Sequence, residues 1–214
     1  MKKQACEKLA GALLPHLPGY IYENKPNAIF KVPVGNVFRG MIFGSSGSSA
    51  TAFHPEVFCQ PLYEPSDHFT LTFGRRLLGN WQYEPGQEES LAKRLLESMQ
   101  REGAFRLLED LASADELTVN LIKYHSNPNG PHLQKAIGYS LAVCGRFNEA
   151  LRWLEKCCET LQGMQRRDPN IEWHGLVLDE VSTFNELVIS NPEAATRQLD
   201  EWTEYTRARL GLPA

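Results

Sequence analysis

The residues best equipped for chemistry lie between positions 54 and 84. His54, Cys59 and His68 are close enough in sequence to meet on adjacent strands, as a metal centre would require. Their spacing matches no established ligand set, and no paired cysteines accompany them, so no metal site is expected. Nucleophilic catalysis needs a Ser or Cys beside an oriented base. The chain has no Gly-x-Ser-x-Gly, and Ser46, inside Gly44-Ser45-Ser46-Gly47-Ser48-Ser49, lacks the strand-to-helix elbow that would expose a nucleophile. That run reads as a flexible hairpin loop, since a phosphate cradle would require a following Gly-Lys-Ser/Thr. Glu23, Glu56, Glu64, Asp67 and Glu84 supply acids at loop and strand ends, but no two of them stand out as an acid–base pair. No catalytic residue and no cofactor is assigned. The enzyme reading that survives is a hydrolase or small-molecule enzyme using His54, Glu64 or His68 in a pocket between two lobes.

A second constellation suits recognition better than catalysis. Arg75 and Arg76 follow Gly74, and Trp81 and Tyr83 come soon after. Cations beside aromatic rings are the usual anchors of protein interfaces. Arg75, Arg76, Trp81 and Tyr83 are therefore the candidate interaction residues, with sealing of the join between lobes as the alternative use of the same side chains.

These groups must be carried by an N-terminal pleated layer. Ala5, Leu9, Ala12 and Leu13 repeat at helical spacing within residues 3–14, and Pro15 to Gly19 ends that helix. Residues 20–23 and 28–32 flank the turn-rich Asn24-Lys25-Pro26-Asn27, which predicts a hairpin. Val37–Phe43 is a further strand. Prolines at 55, 61 and 65 remove ladder donors, which assigns residues 51–63 to a sheet margin or bulge. Residues 67–74 alternate most cleanly, with Phe69, Leu71 and Phe73 on one face. Four or five mostly antiparallel strands are expected, one face packed on the helix.

From residue 86 the period changes to helical. Gln87–Leu111 carries an apolar stripe that Gly103 should break. Ser113-Ala114-Asp115-Glu116 is a capping box ahead of Leu117, Leu121, Ile122 and Tyr124. His125 and His132 flank the proline-rich turn Asn127–Pro131 and read as helix-end or loop groups. A helix over about 176–189 follows, and Asn191-Pro192 starts a last one whose inner side is Ala195, Leu199, Trp202 and Tyr205/Thr206. Six or seven helices in neighbouring hairpins are expected. The fold class is α+β: residues 1–85 as the sheet lobe, residues 86–214 as an all-helical lobe, packed as one compact unit.

Within the helical part, small Gly138 permits close helix approach, Gly145 suits a turn, and Ala150, Leu151 and Leu154 supply a packing face. This stretch resembles one tetratricopeptide hairpin, about residues 133–161. Ile137-Gly138, Leu141, Gly145, Phe147, Ala150, Leu154 and Cys157 stand at its spacing, with Leu141 in place of the usual tyrosine and Cys157 in place of the usual alanine. The resemblance implies tight local packing and a concave helical face for peptide or protein ligands. It stands as a single copy, without the stacked neighbours of a repeat array.

Charge narrows the partners. Residues 1–85 carry 8 Lys/Arg against 6 Asp/Glu, and residues 86–214 carry 14 against 20. No basic stripe exists to displace phosphate counterions, so nucleic acid is not an expected partner. No stretch approaches the roughly 18 apolar residues of a membrane span, and five cysteines without a CxxC read as free thiols. The functional expectation is a cytoplasmic protein-binding or regulatory protein, including an intracellular inhibitor or immunity-type protein. The alternatives are the enzyme above and a structural subunit of a homo-oligomer.

Overall fold

The structure is a computed structural model that describes residues 2–45, 47, 49, 51–71, 73–124 and 129–213. Helix α1 (Lys3–Leu13) buries Ala5, Cys6, Leu9, Ala10, Ala12 and Leu13, the face its spacing predicts. Among the described residues six strands follow: β1 (Tyr20–Glu23), β2 (Ala28–Lys31), β3 (Val37–Ser45), β4 (Ala52–Pro61), β5 (Phe73–Arg76) and β6 (Trp81–Gln82). They form one sheet ordered β1-β2-β3-β4-β5, with β6 also paired to β4. The expected hairpin is present, Tyr20 opposite Lys31 and Glu23 opposite Ala28. The strand count exceeds expectation because residues 81–82 form a two-residue strand.

Two strand readings need correction. β4 is an inner strand, not a margin. Its N-terminal part pairs with β6 through Ala52 and Phe53, and its C-terminal part pairs with β5 from Glu56 to Cys59. Pro55 falls in the gap between these two partners, where a missing N–H costs nothing to either ladder, and its carbonyl accepts from the Leu77 amide at 2.8 Å. The second correction is residues 67–74, where among the described residues only Phe73 and Gly74 are in a strand. Gln60 and Ser66 take over the backbone hydrogen bonds there. The Thr70 amide donates to Gln60 Oε1 at 3.0 Å, and Gln60 Nε2 and Ser66 Oγ both donate to the His68 carbonyl. A backbone satisfied by side chains has no need of a ladder. Position 72 lies outside the described residues.

Among the described residues seven helices follow the sheet. Gly103, at φ 67°, separates α2 (Glu88–Arg101) from α3 (Ala104–Asp110). Leu91, Leu95, Met99 and Leu108 of these helices share a core with Leu9 and Leu13 of α1 and with Ile29, Met41, Phe53 and Trp81 of the sheet. On the opposite sheet face Phe30, Phe38, Phe58 and Phe69 meet edge to face at 4.6–5.9 Å. The chain divides into two compact units, one of Met1–Gln60, Ser66–Ala112 and Arg207–Ala214, the other of Pro61–Pro65 and Ser113–Thr206. The switch of secondary structure near residue 86 thus falls inside the first unit.

The second unit contains α4 (Ala114–Tyr124), α5 (Pro131–Val143), α6 (Phe147–Arg167), α7 (Glu172–Ser190) and most of α8 (Pro192–Leu210). Ser113 caps α4 as expected, its Oγ accepting from the Glu116 amide, while the Glu116 carboxylate takes the Ser113 hydroxyl in place of the reciprocal backbone bond. In the α5–α6 hairpin Gly145 takes φ 71°, with its amide donating to Ala142 and that of Arg146 donating to Leu141. This paired closure satisfies the last carbonyls of α5. A Cβ on Gly138 would lie 2.6 Å from Leu154 Cδ2, so the glycine sets how closely the two helices approach. Ile122, expected in the α4 stripe, is 45% exposed, because Ala114, Leu117, Thr118 and Leu121 make the inner face. The Tyr124 side chain, His125, Asn127 and Pro128 lie outside the described residues, as do Ser46 and Ser48. Among the described residues no helix is long and apolar enough to cross a membrane.

Candidate functional site

In the first unit the cationic-aromatic run is turned inward. Trp81 is 5% exposed and packs on Phe53, with the Arg94 guanidinium 5.6 Å above its ring. Tyr83 is 6% exposed and its hydroxyl donates to Glu88 at 2.6 Å, so that the hydrogen bond, helped by burial, pushes its pKa up to about 12. Arg76 pairs with Glu56, its cross-strand partner, at 2.8 Å. Arg75 donates to the Glu102 carbonyl at the end of α2. Trp81 and Tyr83 are therefore interior groups that hold the β5–β6 region and α2 together, and only the arginines reach the surface. A hollow of about 250 Å³ nearby is lined by Asn80, Gln82, Glu84, Gln87, Ser90 and Arg94 with Leu91. It offers little apolar surface to drive binding.

The proposed pocket residues divide. His54 is half-buried on β4 and His68 is exposed in the segment before β5, both in the first unit, whereas Glu64 belongs to the second. Among the described residues no three His, Cys, Asp or Glu converge as metal ligands would.

Glu64 leads to the arrangement that sequence reasoning missed. Lys135 of α5, only 7% exposed, places Nζ 3.3 Å from Glu64 Oε2 and 3.3 Å from Glu180 Oε1 of α7. Tyr139, one turn further along α5 and fully buried, donates to the same Glu180 oxygen at 2.9 Å. Burial pulls the Lys135 pKa down, but the two carboxylates outweigh it and the net shift is upward. Burial raises the Glu64 pKa, and Lys135 offsets this only in part. Tyr139 is held well above the usual tyrosine range, by burial first and then by Glu180. An ammonium kept charged cannot act as an amine nucleophile, and a phenol kept neutral cannot act as a base. The cluster thus holds Glu180 in place through Lys135 and Tyr139. Cys157 beneath it donates to the Pro131 carbonyl at 3.2 Å, and burial pushes its thiol up to about 12, away from thiolate chemistry.

Glu180 has a second environment. With Asp179, Thr183, Phe184 and Leu187 of α7, and Gln198 and Trp202 of α8, it lines a groove of about 280 Å³. The floor is aromatic: the Trp202 ring lies 5.4 Å from Phe184 and 5.5 Å from Tyr139, and Tyr139 lies 4.7 Å from Phe184. Single-residue closure at Asn191 makes the groove, since α7 ends at Ser190 and α8 begins at Pro192. The Asn191 amide donates to Leu187, and its side chain caps α8 by accepting from the Ala194 amide at 3.1 Å. Ala195, Leu199 and Thr206 form the expected inner side of α8, but Tyr205 is 45% exposed and Trp202 only half-buried. The one signal available in the sequence was Lys135 lying a turn before Tyr139 on a helix otherwise rich in small and apolar residues.

Compared with known proteins, the chain matches no protein family, no curated protein and no solved structure.

Proposed function

We propose that this is a protein-binding module that receives a segment of another protein in the groove between α7 and α8. The observation that carries this reading is a groove floored by the half-buried Leu187 and Trp202 over the buried Phe184, at whose edge an acidic group is held in place by buried partners. Half-buried aromatics in a concave site are the usual anchors of recognition. Helix-in-groove binding needs little else. A regulatory role, including inhibition or toxin immunity, follows where the bound segment belongs to the partner's working surface.

The test is a pair of variants, Leu187→Asp and Trp202→Ala, each checked by circular dichroism for an unchanged fold. A partner identified by affinity capture and then purified should bind the wild type in calorimetry, and bind either variant at least about tenfold more weakly. Undiminished binding by both folded variants would remove the groove from the function. Light scattering across concentration addresses the homo-oligomer alternative: a dimer abolished by Leu187→Asp would make a second copy the occupant.

A further inference from the structure

The groove's electrostatics specify its occupant more closely. Building on the proposed groove, we infer that the segment it takes is cationic, an amphipathic stretch with an apolar anchor flanked by Arg or Lys. Residues 172–210, which form both walls, carry eight Asp/Glu against Arg197, Arg207 and Arg209, the last two at the far end of α8. The second unit as a whole carries 8 Lys/Arg against 15 Asp/Glu, whereas the first carries 14 against 11. The negative charge is therefore concentrated on the unit that has the groove.

At the groove itself the charge is local and directed. Both buried donors, Tyr139 and Lys135, engage Glu180 through Oε1, and Oε2 has no hydrogen bond among the described residues. Lys135 is shared with Glu64, so one ammonium faces two carboxylates. Asp179 lines the same wall without an ion pair among the described residues, and Glu201 accepts from the groove residue Gln198 at 3.3 Å. A guanidinium or ammonium entering here meets carboxylate oxygens and the half-buried Trp202 ring together, a combination suited to arginine. The same field repels phosphate-bearing partners, nucleic acid and anionic lipid alike.

The test uses the full chain and three labelled peptides in fluorescence anisotropy. One peptide carries Leu at helical spacing with Lys and Arg between, the second replaces those cations with Glu, and the third keeps the cations but scrambles the apolar stripe. The first should bind best, and its affinity should fall at least about tenfold in 0.5 M salt. Asp179→Asn and Glu180→Gln should each weaken it about threefold to tenfold. Glu155→Gln and Glu159→Gln, on α6 outside the groove lining, should leave it unchanged. Asp179→Asn keeps the test open if Glu180→Gln disturbs folding.

Equal binding of the acidic peptide, with loss on Leu187→Asp, would overturn the cationic specificity and leave the groove standing. Equal weakening by the α6 variants, or equal binding of the scrambled peptide, would also overturn it, since attraction would then be diffuse. Binding that survives Leu187→Asp, or no binding of any peptide, would remove the groove reading and this inference together.

Discussion

Arg76 and Lys135 both sit about 3 Å from carboxylates, yet they occupy opposite situations. Arg76 ends an edge strand with 57% of its side chain exposed, pairing with Glu56 across the ladder. Lys135 has 9% of its side chain exposed and is shared between Glu64 and Glu180. The aromatics beside them are inverted as well: Trp81 and Tyr83 are sealed inside, while Trp202, above the Lys135 cluster, is open to a groove. Cations and aromatics in proximity therefore do not reveal which of them will meet a partner. A surface cation leaves its aromatic neighbours free to be core, whereas a buried ion cluster must be enclosed by packing and leaves a polar edge at the surface above it.

The contrast predicts unequal costs. Lys135→Met should have the largest effect, about 3–5 kcal/mol in urea denaturation, because two partly buried carboxylates lose their counter-ion. Adding Glu64→Gln and Glu180→Gln to Lys135→Met should recover much of that loss. If the single variant costs less than about 1 kcal/mol, the cluster is not the closed charge site described here.

An intermediate effect belongs to Tyr83. Tyr83→Phe should cost about 0.5–1.5 kcal/mol through the lost hydrogen bond to Glu88. Its folded pKa, about 12, lies above the ordinary value near 10. The stabilisation is thus fully present below about pH 10 and lost as pH rises through about 12. A difference titration at 295 nm, wild type against Tyr83→Phe, should show one phenol ionising near 12, and an ionisation near 10 would contradict its enclosure. The smallest effect belongs to Arg76→Ala, at most about 1 kcal/mol, since an exposed ion pair is weakened by water and salt. A loss as large as that of Lys135→Met would erase the distinction between the two cations.

What could be read in advance follows how far each feature reaches along the chain. The break at Gly103, the cap at Ser113, the turn at Gly145 and the start at Asn191-Pro192 were legible because each is settled within four or five residues. Helical stripes and the first hairpin were legible for a related reason: burial imposes a period on the residue types themselves. The alternation of residues 67–74 misled, because Gln60, from the preceding strand, supplies hydrogen bonds that a neighbouring strand would otherwise make. Pro55 misled similarly, since only the pairing pattern shows that two partners meet at that point.

By itself, then, the sequence determined the caps and breaks of the helices, the first hairpin and the α+β class, since backbone stereochemistry, caps and periodic burial act locally. Tertiary structure alone decided that Lys135 would be enclosed by carboxylates from two distant segments, that Trp81 would be core while Trp202 lines a groove, and that Glu180 would be held at its wall. Those outcomes depend on which surfaces meet across long stretches of chain. The charge and size of a side chain set what an encounter costs, but only the packing of α5, α7 and α8 determines which encounter takes place.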